Sequence, residues 1–463
     1  MRLSPFLLGM AAVAAAAAVV VAGVLILQPN RPLLADARFS LDTITPNADG
    51  DSDVTEIRYT LHRDAYLTIT FTAADGTRYP FRESALRPAG DYRVGFSGVV
   101  DGYLRPGEAF LGKVVRRLMP DGVYTWTISA ISVENPQDTM TATGTLTLTN
   151  GDSQLPLIEG FTISPPVFTP NQDGYDDRVS INLTLAKDSR LTVYLQGADN
   201  VPYYVSERFE GRKPGEKGAH VFDYDGGVDN NITPPPNGTY TVYASAEDTV
   251  GQRVEITGTV TLQEGGLPNA EIVAQTTGRT VTWETRPYDD GYFTDRQTQG
   301  RTVDAPPGVQ SQMAQITLPQ GNLVVFRLTV YNYGTTSIRT IGPWPGTVYQ
   351  YDQTDAAMTP TTTREGISGA WRVGLQCERS ESSYPWRWAI GTPETLIRVE
   401  RDGETLWYLP PGRQATVWGA VRMTRLIPTR NPQKCFAALI HEDVAIPPRQ
   451  NRVGEIDVRL TPR

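Results

Sequence analysis

The chain has only two cysteines and three histidines in 463 residues, and no block of clustered lysine and arginine. His62, His220 and His441 come without a Gly-x-Ser-x-Gly elbow, a His-Glu-x-x-His helix or a glycine-rich phosphate loop. Reactions that need those constellations are not expected, and no residue is assigned a catalytic role. His441-Glu442-Asp443 has no nucleophile beside it and reads as a solvated turn or edge position. The adjacent carboxylates Asp289 and Asp290 lie in a turn-rich stretch and read as turn residues rather than a glycosidase pair. A formal charge of −9 without a basic patch argues against a nucleic-acid partner, because such binding rests on clustered cations. Helical periodicity is scarce beyond residue 30.

One long apolar run breaks this pattern. Arg2 precedes an uncharged stretch from Pro5 to Leu27. At about 1.5 Å per residue, a helix of this length crosses a hydrocarbon core of about 30 Å. The apolar region of a cleaved signal peptide is shorter, about 7–15 residues. Residues 1–30 therefore read as an uncleaved signal anchor, a single transmembrane helix with the bulk of the chain outside the cytoplasm. Cleavage near Ala35-Asp36-Ala37, followed by secretion, is the alternative. In an exported chain a sparse cysteine pair is expected to close one disulfide, Cys377 to Cys435.

Thr, Val, Tyr, Gly and Pro are plentiful, the composition of short strands and many turns. A chain this long is expected to hold several domains. Two of them repeat. "ITPNADGDSDVTEIRYTL" (Ile44 to Leu61) matches "FTPNQDGYDDRVSINLTL" (Phe168 to Leu185), and "MPDGVYTWTISAI" (from Met119) matches "PPNGTYTVYASAE" (from Pro235). "TATGTLTLTN" near Thr145 matches "EITGTVTLQE" near Thr259. The landmarks keep their order, which places modules at 38–150 and 158–264. The first module carries an extra segment, Gly107 to Leu118, expected to be an enlarged loop or an edge hairpin. In both modules apolar and polar residues alternate with period two, with turn residues about every ten positions. That rhythm predicts an all-β chain of tandem immunoglobulin-like sandwiches.

The Phe-Thr-Pro-Asn-x-Asp-Gly start, the stretch from His220 to Asp229, and "PPPNGTYTVYASAEDTVGQ" resemble one family. It is the immunoglobulin-like domain of the bacterial flagellar hook-capping protein, which recurs in bacterial surface and secreted proteins. The second module fits over its whole length, with Tyr224 where the family has tryptophan. The first fits less well, with Ser97 where an aspartate is expected. The resemblance implies a bacterial extracytoplasmic setting and a structural or spacer role, without implying hook assembly.

Residues 270–463 differ from the repeats. "LPQGNLVVFRLTVYNYGTTSI" alternates cleanly and contains Asn332-Tyr333-Gly334, and "NRVGEIDVRLTP" reads as a closing edge strand. This region resembles the β-sandwiches of bacterial surface proteins, in which Asn-x-Gly lies in a hairpin turn. Six of the eight tryptophans fall between Trp344 and Trp418. Trp371, Trp407 and Trp418 read as core. Trp386 and Trp388 alternate on one face beside Arg387 and are the candidate exposed platform for a glycan or protein ligand.

The repeated loop admits two readings. Asn47, Asp49, Asp51 and Asp53 in the first copy, and Asn171, Asp173 and Asp177 in the second, are oxygen donors on a glycine-bearing loop, the chemistry of a calcium site. Yet Gly50 and Gly174 stand at the fourth position, not the EF-hand sixth. The same residues also suit a turn that launches a strand: proline fixes φ, Asn and Asp accept backbone N–H groups, and glycine takes positive φ. The expected role of the whole is a non-enzymatic, membrane-anchored stalk presenting a binding domain to an envelope protein or glycan. A carbohydrate-binding accessory protein of a secreted enzyme system is the alternative.

Overall fold

The computed structural model describes residues 31–209, 211–275, 278–285, 315–358, 364–378, 380, 382–401 and 403–463. The transmembrane helix expected within 1–30 and the Asp289-Asp290 pair lie outside them. Among the described residues no helix is long and apolar enough to cross a membrane. The fold is all-β, built of several sheets with a few single-turn helices.

In the first sandwich, Leu34–Phe39, Thr55–Leu61 and Gly90–Phe96 form one sheet. Thr43–Ile44, Thr139–Leu148, Gly122–Ser132, Ala65–Ala73 and Arg78–Arg87 form the other. Strict alternation makes Thr55–Leu61 a strand with one buried face: Ile57, Tyr59 and Leu61 point into the core. The second sandwich repeats the plan. Ile158–Ser164, Val179–Leu185 and Gly218–Tyr224 face a sheet of Pro202–Tyr204, Arg190–Gln196, Gly238–Glu247 and Arg253–Leu262. In both, a two-residue strand pairs in parallel with the last strand, Thr43–Ile44 in the first and Val167–Phe168 in the second.

A small motif recurs at strand starts. In Pro88-x-Gly-x-Tyr92, Pro120-x-Gly-x-Tyr124 and Pro236-x-Gly-x-Tyr240 the tyrosine hydroxyl donates to the proline carbonyl four residues back, at 2.6–2.7 Å. Each bond satisfies the polar tip of a ring that packs against a core.

The extra segment of the first module is a hairpin, but it belongs to its neighbour's sheet. Val99–Asp101 pairs with Lys113–Leu118, which pairs in turn with Arg253–Glu255 of the second sandwich. Val114 enters the second core, and Val250 of the second module enters the first. Buried Gln252 reaches the linker, donating to the Asp152 and Gln154 carbonyls at 3.0 and 2.9 Å. Lys187 bridges Asp152 and Asp248 at 2.6 and 2.8 Å. The two modules are thus interleaved rather than strung on a free linker.

The C-terminal domain packs two sheets around a tryptophan-rich core. In one, Leu323–Asn332 pairs with Gln414–Arg422, and Val348–Gln350 completes the far side. The other runs Gln315–Pro319, Val453–Thr461, Gln433–His441, Trp371–Cys377, Ile338–Thr340, Glu404–Leu409 and Ile397–Arg401. Cys377 and Cys435 are direct cross-strand partners and form the expected disulfide. Three expectations are corrected here. Val453–Thr461 is not an edge strand, because Gln315–Pro319 pairs in parallel beside it. Asn332-Tyr333-Gly334 is not a hairpin turn but carries the chain from one sheet to the other, with buried Asn332 donating to the Thr336 and Leu409 carbonyls at 2.9 Å.

The third correction concerns the candidate platform. Trp386 and Trp388 do share a face, but it faces inward, and both are 0% exposed. Trp386–Ala389 pairs with Trp371–Cys377 on one side, and the Trp388 ring meets Phe326 and Tyr349 edge to face at 4.6 and 4.9 Å. Its indole N–H donates to the Thr347 carbonyl at 3.0 Å. Alternation identifies residues that share a face, and here the apolar bulk of the rings decided which face was buried. Trp388→Ala is therefore expected to lower unfolding stability by about 3–5 kcal/mol in a denaturant titration, as large-to-small core changes do.

Candidate functional site

The two Asn-x-Asp-Gly loops share one hydrogen-bond skeleton. In the first, the Asp53 carboxylate accepts the N–H groups of Asn47, Ala48 and Gly50 at 2.7–2.9 Å. In the second, Asp177 accepts those of Asp173 and Gly174 at 3.0 and 2.7 Å. The side chains of Asn47 and Asp49, and of Asn171 and Asp173, each accept the N–H two residues on, at 2.9–3.0 Å. Positive φ at Ala48, Gly50 and Ser52, and at Gln172, Gly174 and Asp176, curls the amides inward. The last aspartate of the motif is thus the anion for a nest of backbone donors. Of the residues read as calcium ligands, Asn47, Asp49, Asp53, Asn171, Asp173 and Asp177 accept the loop's own amides, while the Asp51 carboxylate accepts from the Ser52 hydroxyl. Among the described residues no three acidic, imidazole or thiol groups are placed to hold a metal ion.

The loops differ in where they lie. The first is solvent-exposed, whereas in the second Asn171 and Asp173 are both 3% exposed, covered by the C-terminal domain. Tyr408 donates its hydroxyl to the Asp173 carboxylate at 2.8 Å. Buried Arg339 donates to the carbonyls of Asp173, Gly366 and Ser368. Tyr175, at the position of Asp51, lies between the Arg339 and Arg401 guanidinium groups, 5.0 and 5.1 Å from its ring centroid. Its hydroxyl donates to Glu404 at 3.0 Å, and Arg401 also pairs with Asp176. His441, read from sequence as solvated, is buried beneath the same loop. Its Nε2 faces the Gln172 and Gly369 carbonyls at 2.8 and 3.1 Å, so that nitrogen carries the proton and donates.

The backbones meet closely. A Cβ on Gly174 would lie 2.1 Å from the Ser368 carbonyl oxygen, and one on Gly369 would lie 2.3 Å from Gly174 N. Both glycines also have positive φ. Gly50, their counterpart in the first loop, has open space around its Cβ direction.

Burial splits the electrostatics of the two copies. The Gly50, Asn47 and Ala48 amides hold the exposed Asp53 carboxyl below its ordinary range. In the second loop desolvation dominates, and with the neighbouring Asp173 charge it pushes Asp177 up to about 7. Asp173 is raised for the same first reason, desolvation, against the Tyr408 hydrogen bond. Burial lowers His441 to about 4.

Sequence reasoning found the loop residues but missed their partners. Arg339, Tyr408 and His441 lie 166 to 269 positions from the loop residues they contact. The one local signal was Tyr175 in place of Asp51, an aromatic residue where a solvated loop needs none.

No family model and no curated protein matches the chain. Among solved structures it is similar to a Ca2+-stabilized adhesin that helps an Antarctic bacterium reach out and bind ice, with 12% identity, 93% of this chain and 74% of that one covered, and a TM-score of 0.18. It is also similar to the FN1–FN3 domains of chicken CNTN1, with 9% identity, 92% and 98% covered, and a TM-score of 0.24. A tetra-tandem repeat from the extending region of a large adhesion protein matches at 11% identity, with 87% and 80% covered and a TM-score of 0.16. Likenesses this slight carry no argument about function, which is read below from this chain's own contacts.

Two outcomes test the site. Gly174→Ala should destabilise the chain by several kcal/mol more than Gly50→Ala, which costs only the left-handed backbone, about 1–2 kcal/mol; paired denaturant titrations measure this. The second is a pH profile. Asp177 is raised from 3.8, so its contribution to stability is full below about pH 4 and lost as pH rises through about 7. His441 is depressed from 6.5, so its contribution is full above that value and lost as pH falls toward 4. Relative to the parent chain, melting temperatures of Asp177→Asn should therefore climb with pH across this window, and those of His441→Gln should fall.

Proposed function

We propose that the chain is a non-enzymatic stalk, anchored in the membrane by its N-terminal apolar run and carrying a C-terminal binding domain outside the cytoplasm. The observation that carries this reading is the pair of junctions. A hairpin of the first sandwich completes the sheet of the second, and a loop of the second is buried in the third domain. Such ties suppress bending between domains, which an independent set of modules would allow and a spacer must avoid. The carboxyls of Asp173 and Asp177, both raised by desolvation, and the buried His441 lie at the second junction, beneath another domain, rather than open to a substrate. The immunoglobulin-like reading is supported by the shared strand plan of the two modules, and the proposed likeness to the hook-capping domain rests on the sequence motifs alone. The glycan alternative loses its platform, since Trp386 and Trp388 are core residues.

Cell fractionation of the full chain with a C-terminal epitope tests this reading. The chain should sediment with membranes, and protease added to intact cells should remove the epitope. A chain in the soluble cytoplasmic fraction, or an epitope protected until lysis, would overturn the proposal.

A further inference from the structure

One end of the first sandwich carries an apolar row. Leu86, Tyr66 and Ile131 are direct cross-strand partners on the neighbouring strands Arg78–Arg87, Ala65–Ala73 and Gly122–Ser132. They lie on the outer face of that sheet, because Ala65, Leu67 and Ala130 beside them are turned into the core. Their exposures are 56%, 42% and 41%, and Val133, just past the end of its strand, is 41% exposed. Single exposed apolar residues are ordinary, but a contiguous group marks a contact surface.

The chain enters the sandwich at this same end. Arg63, in the turn before Ala65, donates to the Arg31 carbonyl at 3.0 Å, and His62 Nδ1 donates to the Pro32 carbonyl at 2.7 Å. The Val133 N–H donates to the Asp64 carbonyl of that turn at 2.9 Å. Arg31 is therefore pinned to the turn from which Tyr66 emerges. Only Gln28, Pro29 and Asn30 separate it from Leu27, the end of the apolar run. Four residue steps span at most about 14 Å, and the polar layer on each side of a bilayer is about 5–8 Å deep. A chain anchored through its apolar run thus holds this end of the sandwich within reach of the headgroups, where tyrosine is enriched. Charge selects no particular lipid. Arg63 pairs with Asp138 at 2.6 Å, and the Asp64 carboxylate accepts the Ala89 N–H at 2.8 Å. Arg31 and Arg87 stand there with Glu134, a mixture that suits a hydrated zwitterionic layer.

We propose that the row of Leu86, Tyr66, Ile131 and Val133 docks on the lipid surface, its apolar groups inserted at the boundary between headgroups and acyl chains. The docking rests on the proposed membrane anchor and adds to it. The first sandwich lies against the bilayer at a set tilt, instead of swinging on its tether.

The test uses the full chain in phosphatidylcholine vesicles. Both native cysteines are spent in the disulfide, so Leu86→Cys or Val123→Cys supplies a single thiol for an environment-sensitive fluorophore. Val123 is 60% exposed on the same face of the same strand as Ile131, about 27 Å farther along it. Flotation first establishes that the labelled chain is held by the vesicles. The Leu86 label should then emit at shorter wavelength than the Val123 label, and lose at least about half its emission to lipids carrying a shallow nitroxide. The Val123 label should keep its emission. Ile131→Glu puts a charge into the row and should return the Leu86 label to water, with flotation unchanged. The proposal is overturned by a Leu86 label that is not quenched on floated chains, by equal quenching of both labels, or by an Ile131→Glu chain that behaves as the parent. A shorter wavelength at Leu86 without quenching would mean that a second copy covers the row, and would overturn it too. In each of these cases flotation leaves the anchor standing. A chain that does not float removes the anchor and the docking together.

Discussion

Each sandwich depends on one carboxylate that several backbone amides share. A loop that turns its N–H groups inward is fixed in shape when a side chain placed among them accepts those hydrogen bonds. Asp53 and Asp177 supply that acceptor from within the motif. The loop therefore takes a fixed shape without any ligand, and the strand that follows leaves it in a defined register. In the second copy this rigidity has a further use. A preformed loop loses little conformational freedom when another domain closes over it.

One substitution separates the two copies. With Asp51 the first loop suits water. With Tyr175 the second offers an aromatic face to two arginines and a hydroxyl to Glu404. Burial then changes the meaning of the same aspartate, which amides hold ionised in one copy and desolvation drives toward the neutral form in the other. The C-terminal domain answers with Arg339, whose guanidinium donates to carbonyls from both sides of the junction.

The sheets were legible in the sequence because half-buried strands impose a period of two, and Thr55–Leu61 and Val179–Leu185 show it without interruption. The disulfide was legible because only two cysteines exist. The faces were less so. Alternation placed Trp386 and Trp388 together but carried no sign for inside or outside, and only the opposite sheet supplies it. The hairpin at Lys113–Leu118 was visible as a segment, while its partner strand lies more than a hundred positions away. Apart from Tyr175, the junction's partners were hidden for the same reason: Arg339, Tyr408 and His441 belong to local patterns that make sense without it. The repeat, its turn residues and its calcium-like spacing all pointed to the loop, and most of its side-chain oxygens accept the loop's own amides.

The hairpin that completes the second sheet also bears on how such a chain is made. Synthesis delivers the first module before the second. An unpaired strand rim invites any other chain to pair with it. Here the piece that covers the rim of Arg253–Leu262 has already emerged when that strand arrives, carried by the module ahead of it. The chain thus brings its own chaperone-like cover, in the order in which it is needed.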